Sequence, residues 1–141
     1  GKGEKPVTPE EAQRLEAFLA PSHIVVVATI GKSGMPQLTP NWYVYRNGTM
    51  MISTTKERLK YRNLRRDNRM SVCIYTPPQA EQYVTVWGHV GIRDDASIWP
   101  HTRAIVERYV PAAGVEARFQ ELQTQNRVLI DLLPERVLFR V

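Results

Sequence analysis

The sequence predicts a mainly β domain of the α+β class, an antiparallel barrel or half-barrel with helices at its periphery. Three observations carry this. Five or six segments read as strands, and short turns separate neighbours, as at Gly31-Lys32-Ser33-Gly34 and Asn47-Gly48. Helical patterns occur without the regular strand–helix alternation of a doubly wound sheet. The first strand turn is too short for a glycine-rich nucleotide loop, and no helix follows it.

The elements follow in order. Thr8 and Glu11 form a capping-box pattern with Pro9 at the first helical position, and Leu15, Phe18 and Leu19 make one apolar face. The spacing predicts a helix over Thr8 to Ala20, ended by Pro21. Ile24 to Ile30 is β-branched throughout and predicts a buried strand. Pro36 to Tyr45 predicts a second strand with Trp42 and Tyr43 on opposite faces. Asn47-Gly48 turns the chain into a third strand, Thr49 to Ile52. After a basic helical segment, Met70 to Thr76 reads as a fourth strand. Gln82 to Arg93 reads as a long fifth, with Val84, Val86, Gly88 and Val90 on one face. Two glycines inside it, Gly88 and Gly91, predict curvature, a bulge or a close approach. Asp95 to Val110 and Val115 to Gln125 are helical patterns. Arg127 to Leu133 and Val137 to Val141 close the chain as a strand pair or one interrupted strand.

The 141 residues suit a single domain over 8–141, and 43% hydrophobic residues suffice for a core. Residues 1–7 read as a flexible leader, with Gly1-Lys2-Gly3 a cloning remnant. The one cysteine, Cys73, excludes an internal disulfide and a Cys-rich metal site, and predicts a buried structural thiol. No apolar run reaches membrane-spanning length and no signal pattern opens the chain, so a cytoplasmic location is expected.

Charge is concentrated in one place. Ser53 to Arg69 carries seven cations (Lys56, Arg58, Lys60, Arg62, Arg65, Arg66, Arg69) against Glu57 and Asp67, a net of +5. The whole chain is also +5, so the remainder balances at 12 against 12. Thr54 with Glu57 reads as a second capping box, which predicts a strand, a hydroxyl-rich turn at Ser53-Thr54-Thr55, and a helix. A helix N-terminus flanked by hydroxyls, Arg58 and Lys60 suits a phosphate.

Other chemistry lacks its residues. His23, His89 and His101 have no metal-like spacing. There is no nucleophile-elbow pattern and no carboxylate pair suited to hydrolysis. His89 reads as a satisfied or exposed histidine. Trp42, beside Thr39, Asn41 and Tyr43, belongs either to the core or to a surface that stacks on a planar ligand. A phosphate cradle with no protein acid, base or nucleophile points to a phosphorylated cofactor that carries the chemistry itself. Nucleic acid is the rival partner, but the aromatics do not interleave with the cations and no groove-reading motif is present.

Three segments carry a family resemblance: Leu38-Thr39-Pro40-Asn41-Trp42, the run from Ile52 to Asp67, and Val86-Trp87-Gly88. They resemble the pyridoxamine-phosphate-oxidase-like flavin reductases, more narrowly the branch that uses the deazaflavin coenzyme F-420. The resemblance spans about Leu15 to Val141. It implies an FMN-binding split β-barrel that forms a homodimer, with cofactors in grooves at the subunit interface. By similarity Arg58 and Lys60 hold the cofactor phosphate, supported by Ser53, Thr54, Thr55 and Asn63. Thr39, Pro40, Asn41 and Trp42 line the strand beside the ring. Up to Val141 there is no C-terminal extension of the kind that recognises pyridoxal phosphate, which argues against vitamin B6 oxidation. Asn41 departs from the apolar residue common in relatives.

The expected function is hydride transfer between F-420, or alternatively FMN, and an unsaturated organic small molecule. A non-enzymatic cofactor carrier is the alternative. No residue is assigned as catalytic, Tyr43, Tyr75 and His89 are candidate pocket residues, and neither membrane nor nucleic acid is expected as a partner.

Overall fold

The computed structural model describes residues 7–140. Most of the expected leader lies outside the described residues, but Val7 packs against the core. Among the described residues there are eight strands: β1 (Val25–Ile30), β2 (Pro36–Asn41), β3 (Val44–Arg46), β4 (Thr49–Thr55), β5 (Arg69–Tyr75), β6 (Tyr83–Arg93), β7 (Arg127–Leu132) and β8 (Arg136–Arg140). Four α-helices accompany them: α1 (Pro9–Leu19), α2 (Leu59–Arg66), α3 (Ile98–Tyr109) and α4 (Val115–Gln123). All strand pairings are antiparallel, in the order β2-β1-β5-β6-β7-β4-β3, with β8 also on β6. The sheet curls into a half-barrel of the split-barrel type, mainly β with peripheral helices.

Strand β6 organises the curl. On one edge it pairs with β5 over Tyr83 to His89. On the other it pairs first with β8 over Tyr83 to Trp87, then with β7 over Val90 to Arg93. Gly88 sits at that change of partner. A Cβ there would lie 2.7 Å from the Leu133 carbonyl oxygen and 2.8 Å from Leu132 Cδ1, so the β7–β8 connection can cross it only if it is glycine. Gly91 has no such neighbour. The close approach expected of this strand is therefore real at one glycine of the two.

Alternation then fills the barrel. Val25, Val27, Val72, Ile74, Val84, Val86, Ile130 and Leu132 are enclosed with Leu15 and Leu19 of α1. A second cluster packs α3 onto the β3–β4–β7 part of the sheet through Val44, Met51, Ile98, Ile105 and Leu129. The Thr8 capping box forms as expected, with Glu11 N donating to Thr8 Oγ1 at 3.1 Å and Thr8 N to Glu11 Oε1 at 3.0 Å. Asn47 (φ 52°) and Gly48 (φ 74°) both take the left-handed conformation that a two-residue hairpin turn of the primed type requires.

Several expectations are corrected. The strand foreseen over Pro36 to Tyr45 divides at Trp42-Tyr43, because β2 pairs with β1 while β3 pairs with β4. Strand β1 is buried on one face only, with Val26, Ala28 and Ile30 half-buried. The third strand extends to Thr55, held by β7 through Thr54↔Val128 and Thr55↔Arg127. Thr54 is therefore no helix cap. Arg58 occupies that position, and Glu57 instead accepts from Asn126 Nδ2 at 2.7 Å. Cys73 is half-buried rather than buried. Tyr43 is fully enclosed, its hydroxyl 2.9 Å from the Leu19 carbonyl oxygen and 3.0 Å from that of Pro21, so it ties α1 to the barrel and lines no pocket.

Candidate functional site

Where the chain leaves β2 it opens a cleft of about 420 Å³. Pro40, Asn41 and Trp42 form one wall, with Ser53 of β4 and Arg58 at the start of α2. Ile105 and Val106 of α3 give an apolar patch, and Arg118, Gln125 and Arg127 close the remaining side. The size suits a small molecule or part of a larger one.

Local bonding explains each placement. Asn41 Nδ2 donates back to the Thr39 carbonyl oxygen at 2.8 Å and to Thr39 Oγ1 at 3.1 Å, which braces the strand end beneath Trp42. Trp42 stacks on Tyr109 of α3 with centroids 5.1 Å apart and planes 4° from parallel. The Arg118 guanidinium lies 5.7 Å from the indole centroid. Trp42 thus packs against the α3 cluster and also lines the cleft. Ser53 Oγ accepts from Arg127 Nε at 3.1 Å and Nη2 at 3.0 Å, and Arg127 Nη1 donates to Gln125 Oε1 at 2.9 Å.

The electrostatics are one-sided. Lys60 is 8% exposed, and burial pushes its ammonium pKa below the ordinary value, with the charges of Arg58 and Arg127 acting the same way. Burial likewise lowers the pKa of Arg127, followed by the charges of Arg58 and Arg118. Three cations, Arg58, Arg118 and Arg127, therefore line one cleft, and Lys60, outside the lining, feels the charges of two of them. None of them forms an ion pair among the described residues, although Glu121 is part of the lining. Such an arrangement is self-repelling until an anion enters it.

The other sequence-selected residues are placed differently. Thr54 is 3% exposed and Asn63 fully enclosed. Asn63 Nδ2 donates to Thr29 Oγ1 at 3.0 Å, and its Oδ1 accepts from Arg66 Nη2 at 3.0 Å. Thr39 and Thr55 are half-buried beside the cleft rather than in its lining. The rest of the basic run disperses. Lys56 pairs with Asp94 at 3.1 Å, Arg66 caps the Ile30 carbonyl oxygen at 2.9 Å, and Arg69 grips Asp67 at 2.7 Å. Arg118, Gln125 and Arg127 were not foreseen, because α4 and the β4–β7 pairing bring them to Ser53 and Arg58 from far along the chain and leave no local signal. Among the described residues no group of His, Cys, Asp or Glu is arranged to hold a metal. No helix there is long and apolar enough to cross a membrane.

Comparison with known proteins agrees with this fold. Residues 12–140 match the family model described as pyridoxamine 5'-phosphate oxidase. No curated protein matches the chain. Among solved structures, a conserved hypothetical protein from Mycobacterium tuberculosis is 24% identical, with TM-score 0.79 over 99% of this chain and 89% of that one. An F-420 reductase is 22% identical, with TM-score 0.69 over 87% of this chain and 94% of its own. A heme binding protein from Mycobacterium smegmatis is 19% identical, with TM-score 0.74 over 95% of this chain and 55% of its own. At these identities the structural likeness speaks for the fold.

Proposed function

The chain belongs to the pyridoxamine 5'-phosphate oxidase family, and from that membership we propose that it is an oxidoreductase using F-420, or alternatively FMN, to reduce an unsaturated organic small molecule. The observation that carries this reading is the set of Arg58, Arg118 and Arg127 in the cleft lining, with Lys60 close enough to feel the charges of Arg58 and Arg127 and none of the four in an ion pair among the described residues. It suits the phosphate that both cofactors bring. Arg58 and Lys60 would anchor that phosphate and Arg127 would brace Ser53 beside it. Pro40 to Trp42 would bound the planar ring, which supplies the hydride when bound. The apolar patch of Ile105 and Val106 would keep that part of the cleft dry.

The dispersal of the basic run speaks against nucleic acid, since Lys56, Arg66 and Arg69 are engaged within the fold. A solved relative described as an F-420 reductase supports enzymatic turnover, and one described as heme-binding shows why the cofactor needs its own test. Anaerobic mixing of reduced F-420 with a cyclic enone should give protein-dependent reoxidation of the cofactor. Tight binding without turnover against a panel of acceptors would leave a cofactor carrier.

We also propose a homodimer through the outward face of the β2-β1-β5-β6-β8 layer, where Leu38 is 65% and Leu138 58% exposed. Exposed side chains of this kind on one sheet face favour a partner surface. Leu38→Glu with Leu138→Glu should give a folded monomer by sedimentation. A dimer that survives both changes places the interface elsewhere.

A further inference from the structure

The outward sheet face also holds a hollow of about 450 Å³ that shares no lining residue with the cationic cleft. Strand register builds its floor. Ala28, Ser71, Trp87 and Arg136 fall in one row across β1, β5, β6 and β8, and Arg69 and His89 pair in the next row.

Glu135 reaches this floor from the β7–β8 connection, over Gly88. Its backbone N–H donates to the Trp87 carbonyl oxygen at 2.9 Å. Its carboxylate accepts the His89 backbone N–H at 2.5 Å, where β6 has changed strand partners. The same carboxylate lies 2.9 and 3.1 Å from His89 Nδ1. The imidazole is thereby fixed in orientation, with Nδ1 directed to Glu135 and Nε2 left for another partner. Backbone and side chain together hold this pair, so it is built into the fold rather than a chance surface contact.

The other polar groups of the hollow are unequally engaged. Arg69 is committed to Asp67, but Arg136 forms no ion pair among the described residues and lies 5.1 Å from the Trp87 ring centroid. The hollow thus combines an indole and small apolar side chains with one free guanidinium and one oriented ring nitrogen. A flat apolar body bearing a single negative group matches that set. We propose that the hollow binds a planar aromatic carboxylate, its ring along the Ala28–Ser71–Trp87 row and its carboxylate on Arg136, beside the His89 ring that Glu135 orients.

This site does not depend on the cofactor reading, and its test needs no cofactor. Because the hollow opens on the face assigned to the dimer, the protein is tested in its native oligomeric state. Calorimetric titration with 2-naphthoate, combined with NMR of the three tryptophan indole N–H groups, is the experiment. Expected are submillimolar binding, a shift at Trp87, and affinities at least tenfold weaker for 2-naphthamide and for Arg136→Gln. Glu135→Gln should weaken binding at least threefold with the fold intact. Absence of binding at millimolar concentration, equal binding of the amide, or a shift confined to Trp42 would overturn the proposal. The last result would place the carboxylate in the cationic cleft.

Discussion

Replacing Arg58 by alanine and Lys60 by methionine is expected to weaken F-420 binding at least tenfold while leaving the protein as stable as before, or more so. The two halves of that expectation share one cause. A charge-assisted hydrogen bond to a phosphate is worth about 1.5–3 kcal/mol, and about 1.4 kcal/mol is a factor of ten in affinity. Without the anion the same cations cost stability. Lys60 is buried, and burial first, then the charges of Arg58 and Arg127, disfavours its charged form. Methionine keeps the buried stem of Lys60 and removes the charge. The check is affinity by fluorescence titration together with the melting temperature of the ligand-free protein. Loss of both affinity and stability would mean that the cations serve the fold. If Arg127→Gln costs more affinity than the Arg58 and Lys60 pair, the phosphate sits nearer β7 than proposed.

The largest effect on stability is expected at Gly88. Gly88→Val puts a branched side chain where even a Cβ meets the Leu133 carbonyl oxygen at 2.7 Å. Backbone, unlike the end of a flexible side chain, does not give way. Overpacking of this kind costs about 1–3 kcal/mol, and each kcal/mol lowers the melting temperature of a domain this size by about 4 °C. Gly91→Ala is the control on the same strand, since nothing lies within 4 Å of its Cβ position. It should stay within about 0.5 kcal/mol of the parent. Thermal unfolding of the two variants decides whether the β7–β8 crossing, rather than glycine content, sets the requirement. Equal melting temperatures would contradict the account of how β6 changes partners.

Local signals in the sequence proved reliable where the structure is itself local. The Thr8–Glu11 capping box and the Asn47-Gly48 turn depend on neighbours a few residues away, and both form. The inward face of β6 was legible because period-two alternation is a property of one strand. Legibility failed where a distant partner decides. The alternation from Pro36 to Tyr45 runs on without a break, yet the chain changes sheet neighbours at Trp42-Tyr43, which no pattern of side chains announces. The Thr54–Glu57 capping box was a fair local reading, but pairing with β7 keeps Thr54 and Thr55 in a strand. The candidate site was legible on the side that contains Pro40 to Trp42, Ser53 and Arg58. Its other side, Arg118 to Arg127, lies some sixty residues away in sequence from that basic segment and meets it only in the folded sheet.

The central claim is that the cationic cleft holds the phosphate end of a deazaflavin or flavin. Titration of the ligand-free protein with F-420 and, separately, FMN at physiological salt tests it most directly. The account predicts saturable binding of F-420, tighter than that of FMN and weakened in the Arg58 and Lys60 variant. Binding of neither cofactor by a folded protein would contradict it.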